Sequence, residues 1–124
     1  VYSGRLELNG EEHQDTLIAA NNYASSLVKL ERFEEAKALL RKTMPVARRV
    51  LGESDTMLRM RGCFADALLN DPGATLDDLR EAVTTLEEIE RTARRVLGGS
   101  HPLTVDIEDD LQNARENRSL RGGA

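Results

Sequence analysis

The chain has 124 residues, 40% hydrophobic and 31% charged, with a formal net charge of −5. That composition supports one compact domain or a slice of a longer array, and its acidity argues against a nucleic-acid partner, whose phosphates need Lys and Arg clustered on one face. The single cysteine, Cys63, excludes a disulfide or a cysteine zinc site within the chain. No run approaches the ~18 apolar residues of a membrane span, and no signal-peptide apolar region opens the chain. No membrane partner is therefore expected, and the expected location is intracellular, in the cytoplasm. Aromatic residues make up only 3% and Trp is absent. The core must then come from Leu, Ala, Val, Ile and Met, which suits closely packed helices. The opening at Val1 is what a piece of a longer chain or complex would show.

The organisation is a repeat. Residues 35–52 recur 46 residues later as residues 81–98, with the block Ala-Arg-Arg-Val-Leu-Gly in register. A period of this size marks a solenoid array of helix pairs, none of which buries its apolar face alone. In chain order, residues 1–9 read as the tail of a preceding second-type helix, closed by Gly10. Repeat 1 spans 10–51. Its first helix carries Leu17, Ala20, Ala24 and Leu27, starting at Asp15 or Thr16. After a turn at residues 29–32, its second helix carries Ala36, Leu40, Thr43, Ala47 and Val50. Steps of three and four describe one face of an α-helix. Pro45 removes a backbone donor inside that second helix, so a bend or local break is expected there.

Repeat 2 spans 52–97, with Leu58, Ala65 and Leu68, then Ala82, Leu86, Ile89, Ala93 and Val96. Its internal loop, residues 70–75, is longer and reads as an exposed, dispensable insertion, after which Thr75 and Asp78 form a capping-box pattern. Gly52 and Gly98 each follow Arg-Arg-Val-Leu, so cations sit in the last helical turn and glycine takes the left-handed position beyond it. Residues 98–118 form a capping helix, expected to start at Thr104, with Gln112 and Arg115 at positions that are apolar in the other repeats. Residues 119–124 are a frayed tail. The fold class is all-α: antiparallel helix hairpins stacked in a right-handed superhelix.

The pattern Leu17-x4-Asn22-Tyr23-Ala24-x2-Leu27, followed by Arg32-Phe33-Glu34-Glu35-Ala36 and Leu39-Leu40, resembles a tetratricopeptide repeat. The linker Gly10-x2-His13-x2-Thr16-Leu17 returns as Gly98-x2-His101-Pro102-x-Thr104-Val105, and Gly10 and Gly52 lie 42 residues apart. These features resemble the kinesin light chain subclass, whose repeat is longer than the usual one of about 34 residues. The resemblance covers roughly residues 6–115. It implies a close Ala24–Ala36 contact, with Tyr23, Phe33 and Leu40 filling around it. Repeat 2 departs from the pattern: its linker lacks the His-Pro pair, its loop is stretched and Asn gives way to Cys63.

Chemistry is sparse. His13 and His101 occupy equivalent linker positions, which suits a repeated structural job such as bonding a helix end. Adjacent carboxylates such as Asp77-Asp78 and Asp109-Asp110 point about 100° apart on a helix and make no opposed acid/base pair. No phosphate-binding loop or nucleophile motif is present. The expectation is no enzyme, no cofactor and no metal.

The resemblance implies instead that first-type helices line a concave groove for a peptide or partner protein. The candidates are Ile18, Asn21, Asn22, Ser25 and Lys29 in the first helix. Arg59, Cys63, Asp66 and Asn70 follow in the second, and Asp106, Asp109, Asp110 and Asn113 in the third. Asparagine amides pair with an extended backbone regardless of sequence, and the aspartates favour a basic or neutral partner. The alternative is a purely structural subunit or spacer packed permanently in a larger assembly.

Overall fold

A computed structural model of the chain describes residues 14–121. Residues 1–13, with the expected tail of a preceding helix and His13, lie outside the described residues. Five helices follow one another: α1 (Gln14–Lys29), α2 (Phe33–Leu51), α3 (Asp55–Asn70), α4 (Leu76–Val96) and α5 (Pro102–Arg121). No strand occurs among the described residues. Each helix packs on the next, and in addition α1 touches α3 and α3 touches α5. The result is an all-α helical repeat solenoid of two layers: α1, α3 and α5 form one, α2 and α4 the other.

The core follows the spacing read from the sequence. Leu17, Ala20, Ala24 and Leu27 of α1 are buried, as are Ala36, Leu40, Thr43 and Ala47 of α2. In the second hairpin Leu58, Ala65 and Leu68 are matched by Ala82, Leu86, Ile89 and Ala93. Val50 and Val96 depart from the expectation and are exposed, because each lies in the last turn of its helix. Tyr23 is also exposed, whereas its counterpart Phe64 is buried beneath the Arg41 guanidinium, 5.2 Å from the ring centroid. Small residues where helices meet let the backbones approach. Ala82 is fully buried and Ala38 exposed. Ala82→Leu should therefore cost about 1–3 kcal/mol through overpacking, with Ala38→Leu nearly silent. An unchanged urea midpoint for the Ala82 variant would contradict this packing.

Helix ends are set by local chemistry. Gly52 and Gly98 have φ of +61° and +94°, the left-handed region that glycine enters without steric cost. The amide of Gly52 donates to the Arg48 carbonyl at 3.1 Å, and that of Gly98 to Ala93 at 3.1 Å. Thr75 and Asp78 form the reciprocal capping box, at 3.0 and 3.1 Å. Ser54 caps α3 by accepting from the Met57 amide at 3.2 Å.

Three expectations change. α5 starts at Pro102, not Thr104: the His101 ring accepts the Leu103 amide at Nδ1, 3.1 Å away, and Pro102 occupies the first helical position, where no donor is needed. α5 also continues to Arg121, since no helix breaker precedes Gly122. Pro45 does not break α2, which runs uninterrupted to Leu51 with Pro45 on its exposed side, where solvent takes up the freed carbonyl.

The loop between α3 and α4 is not a free insertion. Asp71 accepts the Gly73 amide at 2.9 Å and reaches back to the Lys37 ammonium at 3.0 Å. Lys37 is itself buried within α2, its side chain 7% exposed.

Candidate functional site

The layer α1–α3–α5 carries two adjoining clefts. The first, of about 390 Å³, has Asn21, Asn22, Ser25 and Lys29 from α1 on one wall. Arg59, Cys63 and Asp66 of α3 run along its middle, and Asp110 of α5 stands opposite. Val28, Leu58, Leu103 and Ile107 supply its apolar parts. The second, of about 520 Å³, shares Asp66 and Asp110 and continues toward the helix C-termini past Asn70, Asn113, Glu116 and Asn117. A groove thus crosses all three first-type helices.

Helical geometry explains the membership. Asn21, Asn22, Ser25 and Lys29 lie three or four residues apart on α1, beside the buried stripe of Leu17, Ala24 and Leu27. On α3, Arg59, Cys63 and Asp66 repeat that spacing. Asp106 and Asp109 line neither cleft and are exposed, as is Ile18. Sequence reasoning had no term for Val28, Leu103 and Ile107, or for Glu116, Asn117 and Leu120. Their helical offsets from Asp110 and Asn113 are the signal that could have found the last three.

Lys29 of α1 and Arg59 of α3 are exposed cations, and Asp66 of α3 and Asp110 of α5 are half-buried carboxylates, all four lining the first cleft. None of the four has an ion-pair partner among the described residues. Other arginines do: Arg94 bonds Glu108 at 2.7 Å, Arg95 bonds Glu53 at 2.9 Å and Arg115 bonds Glu87 at 3.1 Å. Burial, aided by the Asp110 charge, raises the Asp66 carboxyl to about 7. Burial, with Asp106 and Asp109 nearby, also raises Asp110. Burial, reinforced by Asp66, pushes the Cys63 thiol up to about 11, so it stays protonated and a poor nucleophile at neutral pH. The Oδ1 atom of Asn21 is buried without a hydrogen-bond partner, an unsatisfied acceptor at the cleft wall. Among the described residues, no group of three or more His, Cys, Asp or Glu side chains could hold a metal ion. No helix there is long and apolar enough to cross a membrane.

Residues 16–56 match the family model of the tetratricopeptide repeat. The match takes in nearly all of α1, all of α2 and the first two residues of α3, the segment that holds the Leu17 to Leu40 pattern noted above. Tetratricopeptide repeats generally mediate protein–protein interaction and are generally not catalytic. No curated protein and no solved structure matches the chain. The tetratricopeptide segment contributes Asn21, Asn22, Ser25 and Lys29 to the groove, and Arg59 to Asp66 lie just beyond its end.

Proposed function

We propose that the chain is a non-catalytic interaction module that holds a peptide or partner protein in the groove formed by α1, α3 and α5. The observation that carries this reading is the run of two adjoining clefts across all three helices, lined by asparagine amides and by Lys29, Arg59, Asp66 and Asp110, which form no ion pairs among the described residues. Amides present donor and acceptor together and suit an extended backbone. The half-buried carboxylates Asp66 and Asp110 favour a basic or neutral segment beside them, because like charges brought together across an interface cost affinity. The Gly-x2-His linkers and the 42-residue step from Gly10 to Gly52 support a repeat of the kinesin light chain type, and with it an intracellular setting.

The test is a peptide-library screen read by fluorescence polarisation, with the bound region mapped by amide chemical shifts. Shifts should concentrate on α1, α3 and α5. Ser25→Trp, which obstructs the first cleft, should weaken binding by about tenfold or more, while Ala38→Trp on the exposed side of α2 should not. Binding indifferent to Ser25→Trp, or mapped to α2 and α4, would reject the groove. If no library peptide binds, the structural-spacer alternative takes its place.

A further inference from the structure

The two clefts of the groove have two lining residues in common, Asp66 of α3 and Asp110 of α5. Carboxylates from neighbouring helices therefore stand where the clefts adjoin. Both are half-buried, whereas Asp106, Asp109 and Glu116 of α5 are exposed. The described fold supplies the pair no countercharge. Lys29 and Arg59 of the first cleft form no ion pair with either carboxylate, and no Lys or Arg lines the second cleft. Elsewhere acids are matched: Glu108, Glu53 and Glu87 hold arginines at 2.7, 2.9 and 3.1 Å. A further unmet acceptor belongs to the first cleft, the buried Oδ1 atom of Asn21. What these groups lack is donors, and the carboxylate pair also lacks a positive charge.

We propose that Asp66 and Asp110 form an anchor pocket that takes a single lysine or arginine side chain of the partner. This rests on the groove reading above and adds the group by which the partner is held. A hard metal ion suits the pair less well, because it takes about six or more oxygen ligands and two side chains cannot supply them. An ammonium or guanidinium needs only acceptors, and its alkyl stem can lie along Ile107 of the first cleft or Leu69 of the second. Engagement is linked to protonation. Burial and the Asp110 charge raise the Asp66 carboxyl to about 7, so the free chain holds a proton there at lower pH. A bound cation favours the ionised form and expels that proton. Affinity should therefore fall as pH drops through about 7 and level off above it. The other charged groups lining the clefts are Lys29 of α1, Arg59 of α3 and Glu116 of α5, with Asp106 and Asp109 acting on Asp110 from its own helix; α2 and α4 contribute none. Cys63 stays protonated at neutral pH, and a partner lysine, with an ordinary value of about 10, stays charged.

Short Ser/Ala peptides with a central lysine, arginine, norleucine or glutamate test it by amide chemical-shift titration, which also shows that each variant is folded. At pH 8 the lysine and arginine peptides should bind about tenfold tighter than the norleucine peptide. Their shifts should centre on Asp66 and Asp110, and the advantage should shrink as salt rises. At pH 6 most of that advantage should be gone, while the norleucine peptide binds alike at both pH values. Asp66→Asn should remove the advantage and its pH dependence together, and Asp110→Asn should reduce the advantage. Equal binding of the lysine and norleucine peptides at pH 8, or a lysine advantage that survives both substitutions, would overturn the anchor and leave the groove standing. An advantage of the same size at pH 6 and pH 8 would overturn the proton linkage. Failure of all these peptides, while library peptides still bind in a Ser25→Trp-sensitive manner, overturns the anchor alone. Failure of every peptide overturns both.

Discussion

Asp66→Asn is expected to stabilise the folded chain at pH 8 by about 1–3 kcal/mol. The carboxylate is half-buried in the groove beside Cys63 and faces Asp110, whose own ionisation is opposed by burial and by Asp106 and Asp109. The cation on the same face, Arg59, is exposed and forms no pair with it. Raised to about 7 in the folded state, against an ordinary value near 4 when unfolded, Asp66 binds a proton more tightly when folded. The sign follows from linkage: between about pH 4 and 7 the folded chain holds more protons, so stability falls as pH rises. The full shift sets an upper bound of about 4 kcal/mol, reduced because a buried Asn amide also carries a desolvation cost.

Urea denaturation at pH 5, 7 and 8 checks this. The decline between pH 5 and 8 should be clear in the original chain and much flatter in the variant. Asp109→Asn, at an exposed position, should change stability by no more than about 0.5 kcal/mol. An Asp66 variant no more stable than the original at pH 8 would refute the strained-carboxylate account.

The burial of Asp66 was not legible in the sequence, although its place on the groove face was. The resemblance implies which face of each first-type helix lines the groove, and spacing then puts Asn21, Ser25, Arg59 and Asp66 on that face. Depth depends on how the neighbouring helix is rotated, and α5 decides it here. Leu103, Ile107, Leu111 and Ala114 turn inward, which brings Asp110, three residues after Ile107, to the groove wall. Asp109 instead falls in line with Val105 and Gln112, on the exposed side. Adjacent aspartates that look equivalent in the sequence therefore have different surroundings.

The core and the caps were more legible because they depend on local rules. Thr75 with Asp78, and the glycines after each Arg-Arg-Val-Leu, state their geometry in a few residues. His101 states its role less directly. An N-cap is normally an oxygen acceptor, and a ring nitrogen takes that part here. Tyr23 shows the other limit: it occupies the position of Phe64, yet it is exposed whereas Phe64 is buried with the Arg41 guanidinium over its ring. The family pattern specifies the residue type, while the neighbour decides the burial.

Asp71→Ala should destabilise the fold by about 2–3 kcal/mol, against the loop's appearance of a spare insertion. Lengthening a loop costs only ~0.6 kcal/mol per doubling, so its length alone would matter little. What matters is where its carboxylate goes. Asp71 accepts from the Gly73 amide and from Lys37, and these bonds hold it below the usual carboxylate range. Burial works against the Lys37 ammonium, but the hydrogen bonds it donates to Glu34 and Asp71 outweigh that and raise its pKa. The Glu34 side chain is 85% exposed, so it compensates only in part once Asp71 is gone. The pair's contribution is present above the unfolded Asp value of about 4 and disappears as pH falls through the lowered folded value; at the alkaline end it lasts until Lys37 begins to deprotonate, above about 10. Urea midpoints should therefore separate Asp71→Ala from the original chain at pH 7, with the gap closing on acidification below about pH 4. Lys37→Met, which removes the buried charge along with its need for a partner, should reduce the cost of a subsequent Asp71→Ala substitution to the loss of the Gly73 bond, about 0.5–1.5 kcal/mol. A double variant losing the full sum of both single effects would show that the loop is held by something other than this pair.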